Sequence, residues 1–183
     1  MKKNILLASL LLCGSISCAS EVKNDTFIGL EVGKAKFTTT ASSSYYGSET
    51  ESVNEEYLSL RLGKVLDKGR VLASLIKYNT ESGVSASSIT GGYDYFLSTT
   101  SSFKPYIGAN VGLAFRSFGD TSLDGFVYGV GIGGLISIND TTDIDIGLKY
   151  NLSTQNDSDD SYCYEDFDID SVVKLGVAIN FYF

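Results

Sequence analysis

Eight segments in which apolar and polar residues alternate predict an all-β fold, an antiparallel up-and-down barrel of eight strands. The connections between the segments support it, short at one end of the barrel and longer at the other. So does the composition. Of 183 residues, 19 are Gly, 22 are Tyr or Phe and one is Pro, which suits many strands and few helices.

In chain order the strands are expected at about 26–38, 55–66, 69–79, 87–98, 103–118, 125–139, 142–153 and 171–183. The eighth is the clearest. Val173, Leu175, Val177, Ile179, Phe181 and Phe183 fall on one face, and Lys174, Gly176, Ala178, Asn180 and Tyr182 on the other, because strand side chains alternate with period two. The seventh matches it, with Ile144, Ile146, Leu148, Tyr150 and Leu152 opposed to Asp143, Asp145, Gly147, Lys149 and Asn151. The third is the weakest, since Val71, Leu72, Ala73, Leu75 and Ile76 occupy both faces. Tight turns are expected near 67–69, 99–102 and 140–141, and longer loops at 39–54, 80–86, 119–124 and 154–170. An even number of strands puts both ends of the barrel domain at the short-turn end.

Alternation alone does not say which face is inside. Residue size does. The polar faces of the fifth and sixth strands carry Gly108, Asn110, Gly112 and Ala114, then Gly129, Gly131, Gly133 and Ser137. Small residues fit the cramped interior of a barrel of about eight strands. The opposite faces, Ile107 to Phe115 and Phe126 to Ile138, then form a lipid-facing band. Aromatic residues on that outer face are expected in two girdles. Tyr78, Phe115, Phe126, Tyr128 and Tyr150 lie toward the long loops, and Tyr93, Tyr95, Phe181 and Phe183 toward the short turns. Lys34, Lys36 and Lys64 share the outer parity, where a lysine near a strand end can snorkel.

The charges expected inside are Glu31, Arg61, Lys77, Asp94, Lys104, Arg116, Asp143, Asp145, Lys149 and Lys174. Both signs occur, so they read either as a salt-bridged filling or as the selectivity lining of a pore. The narrow bore and the cost of unpaired buried charge favour the filling.

The N-terminus reads as a secretory signal over residues 1–19. Lys2 and Lys3 precede an apolar run from Ile5 to Leu12, followed by small residues, with cleavage after Ala19 or Ser20. The run is too short to be a transmembrane helix. Cys13 and Cys18 fit a lipid-attachment motif poorly and would leave with the signal. Cys163 would then be the only thiol of a barrel domain spanning 20–183, so no disulfide framework supports the fold. Cleavage takes the basic residues from 14 to 12 against 22 acidic ones, a net charge of −10, which disfavours nucleic acid as a partner.

The sequence contains no His, which removes the usual general base, Ser–His pairs and imidazole metal sites. A non-enzymatic protein without a cofactor is expected. The acidic segment 156–171 carries Asp157, Asp159 and Asp160 among other carboxylates, hard ligands suited to calcium or magnesium. Tyr162 stands where an EF-hand needs Gly, so a solvated acidic loop is the simpler reading, with weak divalent-cation binding as the alternative. Segment 39–54 is Ser/Thr-rich around Tyr45 and Tyr46 and reads as a hydrophilic loop or a contact surface.

The signal segment, the eight strands, the alternating connections and the terminal Phe183 together resemble the small bacterial outer-membrane β-barrels of the OmpA-barrel, OmpX/Ail and opacity type. The resemblance covers nearly all of the expected mature chain. It implies a transmembrane β-barrel with periplasmic short turns and extracellular long loops in a Gram-negative outer membrane. It further implies a monomer in contact with lipid and lipopolysaccharide, assembled by periplasmic chaperones and the barrel assembly machinery, with Phe183 as assembly signal. Roles in adhesion or envelope integrity follow from the resemblance alone. A narrow porin and a periplasmic lipocalin-like binder are the alternatives. Calorimetric titration with calcium tests the acidic loop. A solvated loop gives no heat beyond that of a variant carrying Asp157→Asn, Asp159→Asn and Asp160→Asn, and excess heat indicates a cation site.

Overall fold

The computed structural model describes residues 25–43, 47–80, 84–98, 102–118, 121–157 and 165–183. They form eight strands: β1 (Thr26–Ser43), β2 (Gly47–Leu66), β3 (Gly69–Asn79), β4 (Val84–Phe96), β5 (Phe103–Phe118), β6 (Thr121–Asn139), β7 (Thr142–Asp157) and β8 (Glu165–Tyr182). Each pairs antiparallel with its neighbour in sequence, and β1 pairs with β8 to close the barrel. Closure leaves no strand edge, which is the condition for a sheet to stand in hydrocarbon.

The short-turn ends fall where the sequence places them, at Asp67–Lys68 and Asp140–Thr141. The other ends differ. The β1–β2 ladder runs without interruption from Thr26↔Lys64 to Ser43↔Gly47, so most of the expected 39–54 loop is a hairpin. Likewise β7 continues to Asp157 and β8 starts at Glu165, inside the expected 154–170 loop. The apolar pattern stops near the membrane edge, but backbone pairing does not need it. β-branched Thr38, Thr39 and Thr40 continue the strand outside the apolar band.

Sidedness is inverted relative to a soluble barrel. On the outer wall Val130 and Ile132 are 61% and 58% exposed, whereas Arg61 and Arg70 inside are 2% and 0% exposed. A continuous apolar exterior around a charged interior is the solution for a solvent of lipid. Inside, one apolar cluster of Phe37, Tyr57, Ile76, Tyr78, Val172 and small neighbours lies toward the long hairpins. A second, of Phe96, Tyr106 and Leu135, lies toward the short turns.

A row of glycines makes room for two inward tyrosines. Gly33, Gly176, Gly147 and Gly133 are successive partners across β1, β8, β7 and β6, with Tyr57 opposite Gly33 and Tyr106 opposite Gly133. A Cβ on Gly33 would stand 2.7 Å from the Tyr57 ring, and one on Gly147 2.7 Å from the Tyr106 hydroxyl. The rings therefore lie over the bare backbone of this row, which only Gly permits. A Cβ on Gly176 would meet the Tyr57 hydroxyl and Glu31, whereas Gly91 on the outer wall has open space. Gly176→Val is thus expected to lower stability in detergent by about 1–3 kcal/mol, read as the urea midpoint. Gly91→Val should leave the midpoint in place.

Candidate functional site

The interior charges converge on one carboxylate. Asp145 on β7 accepts a hydrogen bond from Arg61 Nη1 at 2.7 Å, from Arg70 Nη2 at 2.6 Å and from the Tyr106 hydroxyl at 2.8 Å. Three strands, β2, β3 and β5, therefore meet on a single side chain from β7. Arg70 also donates Nε to Asp94 at 2.8 Å, and its guanidinium lies 4.8 Å over the Tyr106 ring. Arg61 reaches Glu31 at 3.4 Å, and Glu31 accepts from the Tyr57 hydroxyl at 2.6 Å. The two tyrosines over the glycine row thus place their hydroxyls on the two acidic residues that hold Arg61.

Other contacts extend the filling toward both ends. Near the short turns, the Tyr182 hydroxyl donates to Asp143 at 2.8 Å. A mouth of about 750 Å³ opens there, lined by Asp25, Lys104, Asp140, Asp143 and Tyr182. Higher up, Asn110 donates to Asn151 at 2.8 Å, and Lys149 and Lys174 face each other across β7 and β8. Toward the long hairpins Arg116 donates to Glu55 at 3.0 Å and lies 5.1 Å over the Phe37 ring.

Of the charges expected inside, Glu31, Arg61, Asp94, Asp143, Asp145 and Lys174 are buried in the barrel. Lys104, Arg116 and Lys149 share the inward parity and are partly buried. Lys77 is the exception. It is exposed on the outer face, because β3 turns Arg70, Leu72, Ser74, Ile76 and Tyr78 inward. The same parity corrects Tyr78, expected in the outer girdle. It is buried against Phe37, ring centroids 5.1 Å apart and edge-on, and against Tyr57 at 6.1 Å. Polarity misled the assignment on this strand, since both of its faces carry apolar residues.

Tyr93, Tyr95, Phe126, Tyr128, Tyr150, Phe181 and Phe183 are exposed on the outer wall, and Phe115 is partly so. Residues 1–24, Tyr45, Tyr46, Asp159, Asp160 and Cys163 lie outside the described residues, as does the side chain of Asp157. Sequence reasoning missed Arg70, Glu55, Tyr57, Tyr106 and Tyr182. Arg70 had a usable signal, since it stands directly opposite the interior Asp94 in the β3–β4 ladder.

Chemically the arrangement is one of mutual neutralisation. Each central carboxylate is engaged by a guanidinium or a phenol, and none stands free beside a nucleophile. Among the described residues no group of three or more Cys, Asp or Glu is placed to hold a metal ion.

No family model matches the sequence, and no curated protein does. Solved structures do match. The structure of Neisserial surface protein A is similar over 84% of this chain and 97% of its own, with 20% identity and a TM-score of 0.58. Outer membrane protein H of Pseudomonas aeruginosa matches over 87% and 99%, with 21% identity and a TM-score of 0.56. Outer membrane protein OprG of the same organism matches over 88% and 97%, with 15% identity and a TM-score of 0.55. The fold is that of the small outer-membrane β-barrels, an eight-stranded wall that crosses the membrane with strands.

Asp145→Ala leaves Arg61 and Arg70 buried side by side without their shared counter-ion. It is expected to cost about 3–5 kcal/mol, read as urea unfolding in lipid vesicles. Arg61→Met together with Arg70→Met in the Asp145→Ala background should recover only part of that loss, because Glu31 and Asp94 are then buried without their guanidinium partners.

Proposed function

We propose that this protein is a non-enzymatic integral barrel of a Gram-negative outer membrane, with a filled lumen and surface hairpins that meet envelope or host partners. One observation carries the reading. The Arg61–Arg70–Asp145 cluster lies between two apolar clusters, so the bore is occupied at three levels by side chains packed on one another. A steady aqueous path would have to break charge pairs in the interior. The reading as a surface protein is further supported by Neisserial surface protein A, whose name places it at a surface.

The non-enzymatic reading rests on the engaged carboxylates and the absence of His from the sequence. In this account residues 1–19 are a secretory signal, the long hairpins are extracellular, and the short turns and Phe183 are periplasmic. The chain is a monomer delivered by periplasmic chaperones to the barrel assembly machinery, with Phe183 as its signal. The exposed aromatics of the outer wall sit at the two membrane interfaces. We take the acidic segment 156–171, on its sequence, as a solvated loop and not a cation site.

Planar-bilayer recording separates this reading from a narrow porin. The purified refolded protein should show no steady open level, with brief flickers at most. A stable ohmic conductance that changes its ion selectivity in Asp94→Asn would make it a porin. A monomer soluble in plain buffer without detergent would instead favour a lipocalin-like binder.

A further inference from the structure

The outward-facing lysines are distributed on one side of the barrel only. Among the described residues, Lys34 and Lys36 of β1, Lys64 of β2 and Lys77 of β3 face outward, while β4 to β8 present no outward Lys or Arg. Lys64 belongs to the short-turn end, opposite Thr26. The other three gather toward the long hairpins. Lys34 stands directly opposite Glu56, and Lys77 opposite Leu58 two residues along the same strand. Lys36, one outward position further along β1, completes the group.

Lys34 and Lys77 rim a cleft of about 570 Å³ in the outer wall. Its apolar floor includes Val32 and Leu58, which are 58% and 55% exposed, and Val177. Lys34, Lys77 and Glu56 stand at its edge. Two cations against one carboxylate, with Lys36 one outward position beyond the rim, leave a net positive edge directly joined to exposed hydrocarbon-facing residues. At the bilayer midplane a lysine costs about 2–4 kcal/mol, and the cost falls toward zero near the interface. Such a group is retained at low cost where phosphate oxygens meet the ammonium groups.

We propose that this patch is a binding site for one anionic, phosphate-bearing lipid of the outer leaflet, its headgroup on Lys34, Lys36 and Lys77 and an acyl chain along Val32, Leu58 and Val177. Glu56, directly opposite Lys34, partly offsets the charge of the rim. The occupant is an amphiphile and not a free anion, because the charged rim and the apolar floor form a single cleft. The inference rests on the outer-membrane reading given above.

The test uses full-length mature protein refolded in neutral detergent, with lipid A as the probe and native mass spectrometry as the readout. Wild type should retain lipid A, and the Lys34→Gln, Lys36→Gln, Lys77→Gln variant should bind it roughly a hundredfold more weakly, from about 1 kcal/mol per lysine near an anionic surface. Lys64→Gln should bind as wild type does, and the Lys→Arg triple variant should restore binding. Leu58→Ser should weaken lipid A retention while leaving the rim intact, and inorganic phosphate in excess should not displace the lipid. Equal retention by wild type and the Gln variant overturns the proposal. Full displacement by inorganic phosphate overturns it as well, in favour of a simple anion site. Boiled and unboiled gel mobility of every variant is compared alongside. Heat-modifiable wild type without lipid retention defeats this site alone, whereas loss of heat-modifiability in wild type defeats the barrel reading beneath it. Where the Gln variant does not fold, the single variant Lys77→Gln decides, with reduced retention expected and unchanged retention overturning the site.

Discussion

Closure of β1 onto β8 is the constraint on which the rest depends. In hydrocarbon an unpaired backbone N–H or C=O has no water to turn to, so a sheet survives there only as a ring. The β1–β8 ladder, from Phe27↔Tyr182 to Ser43↔Glu165, removes the last two edges. Once the ring is closed, period-two alternation sends every second residue into a bore only eight strands wide. Whatever points inward must fill that bore and satisfy its own polar groups. Asp145, Arg61, Arg70 and Tyr106 are the result at the centre, with apolar clusters on either side.

The glycine row shows how closely wall and filling are linked. Gly33, Gly176, Gly147 and Gly133 lie on four different strands and meet only because the register aligns them. They leave space for Tyr57 and Tyr106, and those tyrosines in turn carry hydroxyls to Glu31 and Asp145. A slip of one residue in the β1–β8 ladder would turn Asn180, Ala178 and Lys174 toward lipid and Ile179 and Val177 toward the bore. Register, packing and charge pairing therefore support one another.

Much of this was legible in the sequence, for identifiable reasons. Strand ends were sharp at the short turns, where Asp67-Lys68-Gly69 and Asp140-Thr141 carry turn chemistry. They were blurred at the other end, because Thr38 to Ser43 pair through backbone with no apolar face to betray them. Most interior charges could be placed because their strands alternate cleanly, as β7 and β8 do. Lys77 and Tyr78 went to the wrong sides because on β3 Leu72 and Ile76 are interior residues while Leu75 is an exterior one, so hydrophobicity carries no parity there. The convergence of Arg61 and Arg70 on Asp145 depends on residues 84 and 75 positions apart in the chain, and only the closed ring brings them together.

The most direct measurement of the central claim, an outer wall of apolar residues facing lipid around a polar interior, is spin-label accessibility in lipid bilayers. Single labels are placed in turn at Val32, Val130, Ile146 and Val177 on the outer wall, with Cys163 replaced by Ser. Each label should collide freely with oxygen, which partitions into hydrocarbon, and scarcely with a water-soluble nickel complex. Outer-wall labels that are open to the nickel complex and poorly reached by oxygen would contradict the account, since the wall would then face water.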